Sequence, residues 1–205
     1  KLNALSPERI WQELARGLVA QKPMHLFQVL LDTGAAATIL PSELTAKLSE
    51  ESFREKLIAH FSKAGNSLEE RCAIVLMDLP AGEIRSWADC VRMPIEVRDF
   101  SEIFSALGLL IAKSLDTSYQ ALDVLAWFNR ADVWRKPDRA QAILNLANKL
   151  GLNVSPLINA MRNAQSINTA EIIASVAAED RSNGERIGSA FESARLAAIA
   201  TALEA

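Results

Sequence analysis

The chain is short of the residues that build the commonest functional sites. Two cysteines occur in 205 residues, Cys72 and Cys90. Their wide separation excludes a disulfide framework and a CxxC pair, and both fall in apolar helical patterns that read as reduced core thiols. Two histidines, His25 and His60, have no cysteine or carboxylate cluster at ligand spacing beside them. Surface or half-buried imidazoles are therefore expected, and a zinc site is not. Glycine-rich phosphate loops, HExxH and GxSxG are absent, as is a spaced aspartate pair of the kind that grips two magnesium ions. No apolar run approaches bilayer length and no basic leader followed by an apolar core stands at the start, which predicts a soluble, cytoplasmic protein with no membrane partner. Net positive charge is lacking too. A charge of -3 excludes a surface that holds nucleic acid all over, but not a local cationic face, because affinity follows the phosphates neutralised.

What is present is apolar and helical. Half of the residues are apolar, enough to fold the whole length around a core that needs no staples. Lys1 stands where an initiator methionine is expected, which points to a processed or truncated product. Ser6-Pro7-Glu8 supplies a cap, a first-turn proline and an acid at the positive helix end, and Ile10, Trp11, Leu14 and Leu18 then share a face. Pro23 opens a second helix that Gly34 closes, Pro41 a third, and a polar helix follows to about Lys63. Ser67 and Glu70 form a capping-box pattern before the apolar run "RCAIVLMDLP". Ile84, Trp87, Ala88 and Val91 share a face, and Pro94 begins a segment through Leu107. Asp116 or Thr117 is placed to cap a helix in which Leu122, Leu125 and Ala126 point inward. Pro137 opens "PDRAQAILNLANKLG", burying Ile143, Leu144, Ala147 and Leu150. Asn168 with Glu171 repeats the capping pattern, and the last helix starts near Gly184. Residues 151–168 read as the least helical stretch and 41–66 as a weaker seam. No segment alternates with period two, so the fold class is all-α, an irregular array of roughly ten or more helices.

Asp78, at the end of the apolar run, reads as structural. A carboxylate alone cannot generate hydroxide at neutral pH, which takes several ligands around a cation; Asp78 is instead placed to cap the helix beyond Pro80. The cationic candidates lie further on. "NRADVWRKPDR" carries Arg130, Arg135, Lys136 and Arg139 around Trp134, and "EDRSNGERIGSAFESARLAAI" carries Arg181, Arg186 and Arg195. Guanidinium and ammonium groups on a rigid helical frame hold phosphates. From residue 131 to 205, however, eight Lys and Arg face eight Asp and Glu, so composition favours an ordinary solvated face, with Trp134 half in the core.

Four stretches, taken in order, resemble one family. "LSPERIWQELARGLVAQKP" followed by "MHLFQVLLDTGAAATILPSEL" is similar to the segment after the catalytic head of bacterial CCA-adding tRNA nucleotidyltransferases of class II. Glu8, Arg9, Trp11, Glu13, Leu14, Leu40, Pro41 and Glu43 keep that pattern, with Ser42 inserted. "CVRMPIEVRDFSEI" resembles the family's Arg-hydrophobic-Pro-x-Glu-x-Arg-Asp segment, "ADVWRKPDR" its Asp-Ala-Trp-Arg-Lys-Pro-Glu-Arg segment, and "NGERIGSAFESARLAAI" its terminal helix.

The resemblance implies the end of a neck and start of a body over 1–48, a degenerate phosphohydrolase-like (HD-type) body over 49–152 and a helical tail over 153–205. It implies a noncatalytic region that binds and positions tRNA from acceptor stem to elbow. The magnesium, CTP and ATP belong to a missing N-terminal head, which is the other expected partner; no cofactor and no catalytic residue is expected in this fragment. Arg135, Lys136, Arg139, Arg186 and Arg195 are its RNA-binding candidates. The family's phosphohydrolase signature is His-Asp-Leu-Gly-Lys; here Met77, Pro80 and Ala81 replace three of its residues, which makes Asp78 the remnant of a lost metal site. A poly(A) polymerase or partial CCA-adding enzyme, and a self-standing helical interaction module, are the alternatives.

Overall fold

The computed structural model describes residues 6–181 and 183–204. Among them lie thirteen α-helices, a short 3-10 turn over Ala178–Asp180 and no strand. The helices fall into two compact units, one running to Gly108 and including Lys149–Gly151, the other formed by Leu109–Asn148 and Leu152–Ala205.

The first unit holds α1 (Pro7–Leu18), α2 (Met24–Asp32), α3 (Ala36–Ile39), α4 (Ser42–Ser49), α5 (Glu51–Lys63), α6 (Leu68–Leu76), α7 (Ala81–Val91) and the start of α8 (Ile95–Thr117). The Ser6 hydroxyl accepts from the Arg9 amide at 3.4 Å, and α1 buries Trp11, Leu14 and Leu18 while packing on α2, α6 and α7. At α6 the Ser67 hydroxyl accepts from the Glu70 amide, and the Glu70 carboxylate turns back to the Gly65 amide at 2.7 Å. Every residue from Arg71 to Leu76 is buried, so α6 is surrounded on all sides as an all-round apolar helix must be. The Trp87 indole donates to the Ile39 carbonyl at 2.8 Å, which ties α7 to the end of α3. Cys72 is buried as expected, but Cys90 is exposed: on α7 the buried stripe is Ile84, Ala88 and Val91, and position 90 turns away from it.

The second unit holds the rest of α8, with α9 (Ala121–Ala131), α10 (Pro137–Leu150 as a helix), α11 (Ser155–Gln165), α12 (Thr169–Ser175) and α13 (Gly184–Glu204). Helix α13 packs against α11, α9 and α12. The side chains of Asp116 and Thr117 lie outside the described residues; the backbone is helical through Thr117, and α9 begins only at Ala121 after Gln120. Leu122 and Ala126 do not point inward. Leu122 is 68% exposed and Ala126 is exposed, because the stripe that α9 buries is Val124, Leu125, Trp127, Phe128 and Ala131. The stretch read as least helical contains α11, whose Leu157, Ala160, Met161 and Ala164 are buried.

Candidate functional site

The cationic turn between α9 and α10 is built by its backbone. Asp132 ends α9 in the left-handed region with φ 55°, a conformation in which Asp is among the few tolerated non-glycine residues. Its carbonyl then accepts from the amides of Arg135 at 3.1 Å and Lys136 at 2.8 Å, and Pro137 starts α10. The Arg135 Nε donates to the Asp132 carboxylate at 2.9 Å. That bond, with the charges of Arg135, Arg139 and Lys136, holds the Asp132 carboxyl below its usual range, and the same bond with the Asp132 charge raises the Arg135 guanidinium. Arg135 and Lys136 are exposed. Arg139 is half-buried and donates to the Ala131 carbonyl at 2.9 Å, closing the end of α9.

Below this turn lies an aromatic stack. The Arg195 guanidinium sits 3.9 Å from the centre of the Trp134 ring and 5.6 Å from that of Phe191. Phe128 meets Trp134 edge-on at 6.2 Å, and the Trp134 indole donates to the Asn129 side-chain oxygen at 2.8 Å. Burial lowers the Arg195 pKa, and its Nε finds no hydrogen-bond partner among the described residues. Arg195 is thus held by ring faces, as a weakly hydrated guanidinium can be. Arg186 lies elsewhere: nine residues from Arg195 on α13, it is about 180° round the helix and about 13 Å along it. The structure therefore gathers Arg135, Lys136, Arg139 and Arg195 at one turn and leaves Arg186 exposed at the start of α13.

Asp78 occupies a different place, in the first unit. Its carboxylate takes an ion pair from the Lys56 ammonium at 3.0 Å, while the helix beyond it starts after Pro80 with no side-chain cap; the capping role expected for Asp78 is not found. Leu79 next to it is buried, and its carbonyl accepts from the Ser105 hydroxyl at 2.6 Å. His60 lies near enough to feel Asp78, but burial, with Lys56 and Lys63, lowers its pKa, and its Nδ1 has no partner among the described residues. These donors do not fit a divalent metal. Asp78 already holds an ammonium, Met77 offers a thioether to a hard ion, and among the described residues no three His, Cys, Asp or Glu side chains come together as a ligand set.

Two arginines escaped the sequence reading. Arg71 is 6% exposed and donates to the carbonyls of Leu18 and Ala20, both at 2.9 Å, to Gly65 at 3.1 Å and to the Asn66 side chain at 2.6 Å. It closes the carbonyl end of α1, where positive charge is favoured. Its signal was a charge inside an apolar run. Arg85 grips the buried Glu102 with two bonds of 3.0 and 2.6 Å, and Arg98 approaches the same carboxylate at 3.7 Å. Nothing in the spacing of Arg85 and Glu102 announces that pair, since they come from different helices.

Comparison with known proteins adds a relationship to this geometry. A family model described as "Probable RNA and SrmB- binding site of polymerase A" matches residues 1–47. The multifunctional CCA protein of Burkholderia cenocepacia is 28% identical over 99% of this chain and 58% of its own length. Those of Burkholderia mallei and Burkholderia orbicola are 30% and 27% identical over the same shares. No solved structure matches the chain. The chain is related in sequence to bacterial multifunctional CCA proteins along nearly its whole length and spans a little over half of theirs. The first of these alignments covers 245 positions against 205 residues here, so about forty positions of the comparison have no residue in this chain. Helix α1 and the turn after it fall within the stretch matched by the family model; the α9–α10 turn and α13 fall outside it.

Proposed function

We propose that this chain is the noncatalytic tRNA-binding and positioning region of a CCA-adding tRNA nucleotidyltransferase. Its catalytic head, N-terminal to the segment described, would use magnesium, CTP and ATP to add C, C and A to the tRNA 3′ end. The observation that carries the reading is the similarity to multifunctional CCA proteins over 99% of the chain; the four motif-like stretches agree with it in order. In this reading residues 1–48 complete the neck and begin the body, 49–152 form a degenerate HD-like helical body, and 153–205 form the tail. Asp78 is what survives of a metal site, its charge now matched by Lys56. The partners are tRNA and the head, and the compartment is the cytoplasm.

Arg135 and Lys136 are the contacts we assign first, because both are exposed on a turn fixed by backbone hydrogen bonds. Arg186 would meet the RNA separately. Arg139 and Arg195 support the turn from inside. A second reading, a poly(A) polymerase, is favoured by one observation only, the family description that covers residues 1–47. Binding of the chain to whole tRNA, compared over a range of salt with an acceptor-stem minihelix, tests the main reading. Tighter binding to whole tRNA is expected. No binding to either RNA would sink it.

A further inference from the structure

The first unit contains a groove that neither the motif-like stretches nor the cationic turn explains. It is about 450 Å³ in volume and is walled by Lys22, Pro23, Met24 and His25 on one side and by Ile58, Phe61 and Arg71 on the other. That volume falls within the range of small-molecule sites. Its floor is apolar, with Pro23 and Phe61 buried, but Ile58 stands at the rim 55% exposed. Its charge is of one sign: Lys22 and Arg71 line it and no carboxylate does, while His25 adds an imidazole. Arg71 matters most here. Its hydrogen bonds go to three carbonyls and an amide oxygen, neutral acceptors that engage four of its five N–H groups without cancelling its charge. A charge so placed acts strongly on an adjoining cavity, because little water screens it. Its guanidinium also lies 5.6 Å from the centre of the Phe61 ring, so the apolar wall and the positive charge adjoin.

An apolar slot edged with cations fits a ligand that joins a flat apolar face to an anion. We propose that the groove binds one unstacked nucleotide of an RNA strand, with the base against Ile58, Met24 and Phe61 and its phosphate toward Lys22 and Arg71. Single-stranded RNA is recognised in this way, by bases splayed onto apolar and aromatic side chains beside a cationic track. The inference rests on the tRNA reading and deepens it, since the turn at 21–25 lies inside the stretch matched by the RNA-binding family model while Ile58, Phe61 and Arg71 lie outside it. A groove of about 450 Å³ suits a single nucleotide from a single-stranded end or loop.

The test uses the full chain, fluorescent whole tRNA, a short single-stranded oligonucleotide, and two variants of exposed residues, Lys22→Glu and Ile58→Asn, with circular dichroism melts as the fold control. Ile58→Asn removes apolar contact without changing charge and is expected to weaken RNA binding about tenfold at unchanged salt dependence. Lys22→Glu is expected to weaken it and to flatten the salt dependence by about one unit of slope. Cross-linking of tRNA substituted with 4-thiouridine should map to Met24, Ile58 or Phe61. If tRNA binds both variants as tightly as wild type, the groove belongs to some other ligand, such as a protein segment, and the proposal is overturned while the tRNA reading stands. A loss confined to Lys22→Glu also overturns it, because a phosphate contact alone needs no groove. If wild type binds the oligonucleotide with the expected sensitivity to both variants but does not bind tRNA, the groove is supported and the tRNA reading fails. Binding to neither RNA ends both.

Discussion

At the scale of the residue, the buried cation Arg71 carries the sharpest expectation. Removing a buried hydrogen-bonding partner leaves its acceptors dry and unpaired, which costs more than the bonds contribute on balance. Arg71→Met keeps the volume but strands the carbonyls of Leu18, Ala20 and Gly65. A loss of about 2–4 kcal/mol is expected in urea denaturation, where an exposed arginine would cost almost nothing. His60 makes a second prediction through its proton. Burial lowers its pKa from the ordinary 6.5, so the unfolded chain takes up the proton first. Stability is then full above 6.5, falls as the pH drops through that value, and levels off below the folded pKa. Urea midpoints measured from about pH 7.5 to about pH 5 should fall less for His60→Gln than for wild type; parallel curves would remove His60 from the acid response.

At the scale of the element, helix ends were legible where local chemistry fixes them. Ser6-Pro7, Ser67 and Asn168 all cap the helices that follow them, because a short side-chain acceptor before an amide-rich turn acts within a few residues. Buried faces were less legible. In "ALDVLAWF" almost every position is apolar, so two overlapping stripes fit the helical period, and the packing of α13 on α9 selects between them. Helix α11 was hidden for the opposite reason: its buried stripe uses two alanines, a weak signal until α13 covers it. The cationic turn was legible as composition, but the division of labour within it was not. That Arg195 faces the Trp134 ring while Arg186 is exposed depends on α13 lying against α9, and no spacing of charges encodes that packing. Helix α7 offers a test of backbone chemistry at this scale. It ends on Arg92 at φ 58°, where a side chain is strained, and the Glu8 ion pair is long at 4.0 Å and exposed. Arg92→Gly is therefore expected to raise stability by up to about 1 kcal/mol, read as a higher thermal midpoint.

At the scale of the whole molecule, an acidic chain with pI near 5.5 that binds RNA must do so through few contacts. Each phosphate neutralised contributes roughly one unit to the slope of log affinity against log salt. Reversing Arg135 and Lys136 together should therefore flatten the slope for tRNA by about two units while leaving the melting temperature close to that of wild type. An unchanged slope would remove the α9–α10 turn from the interface.

The unequal fates of the two cysteines have a practical consequence. Burial pushes the Cys72 thiol up to about 12, which keeps it protonated and out of reach, whereas Cys90 stands exposed on α7. Thiol reagents attack through the accessible thiolate. The native chain should therefore take up one equivalent of a maleimide and the denatured chain two, counted by mass spectrometry. A fluorophore or spin label can thus be attached to the wild-type sequence at one defined position, and distances from α7 to a labelled tRNA can be measured without engineering the protein.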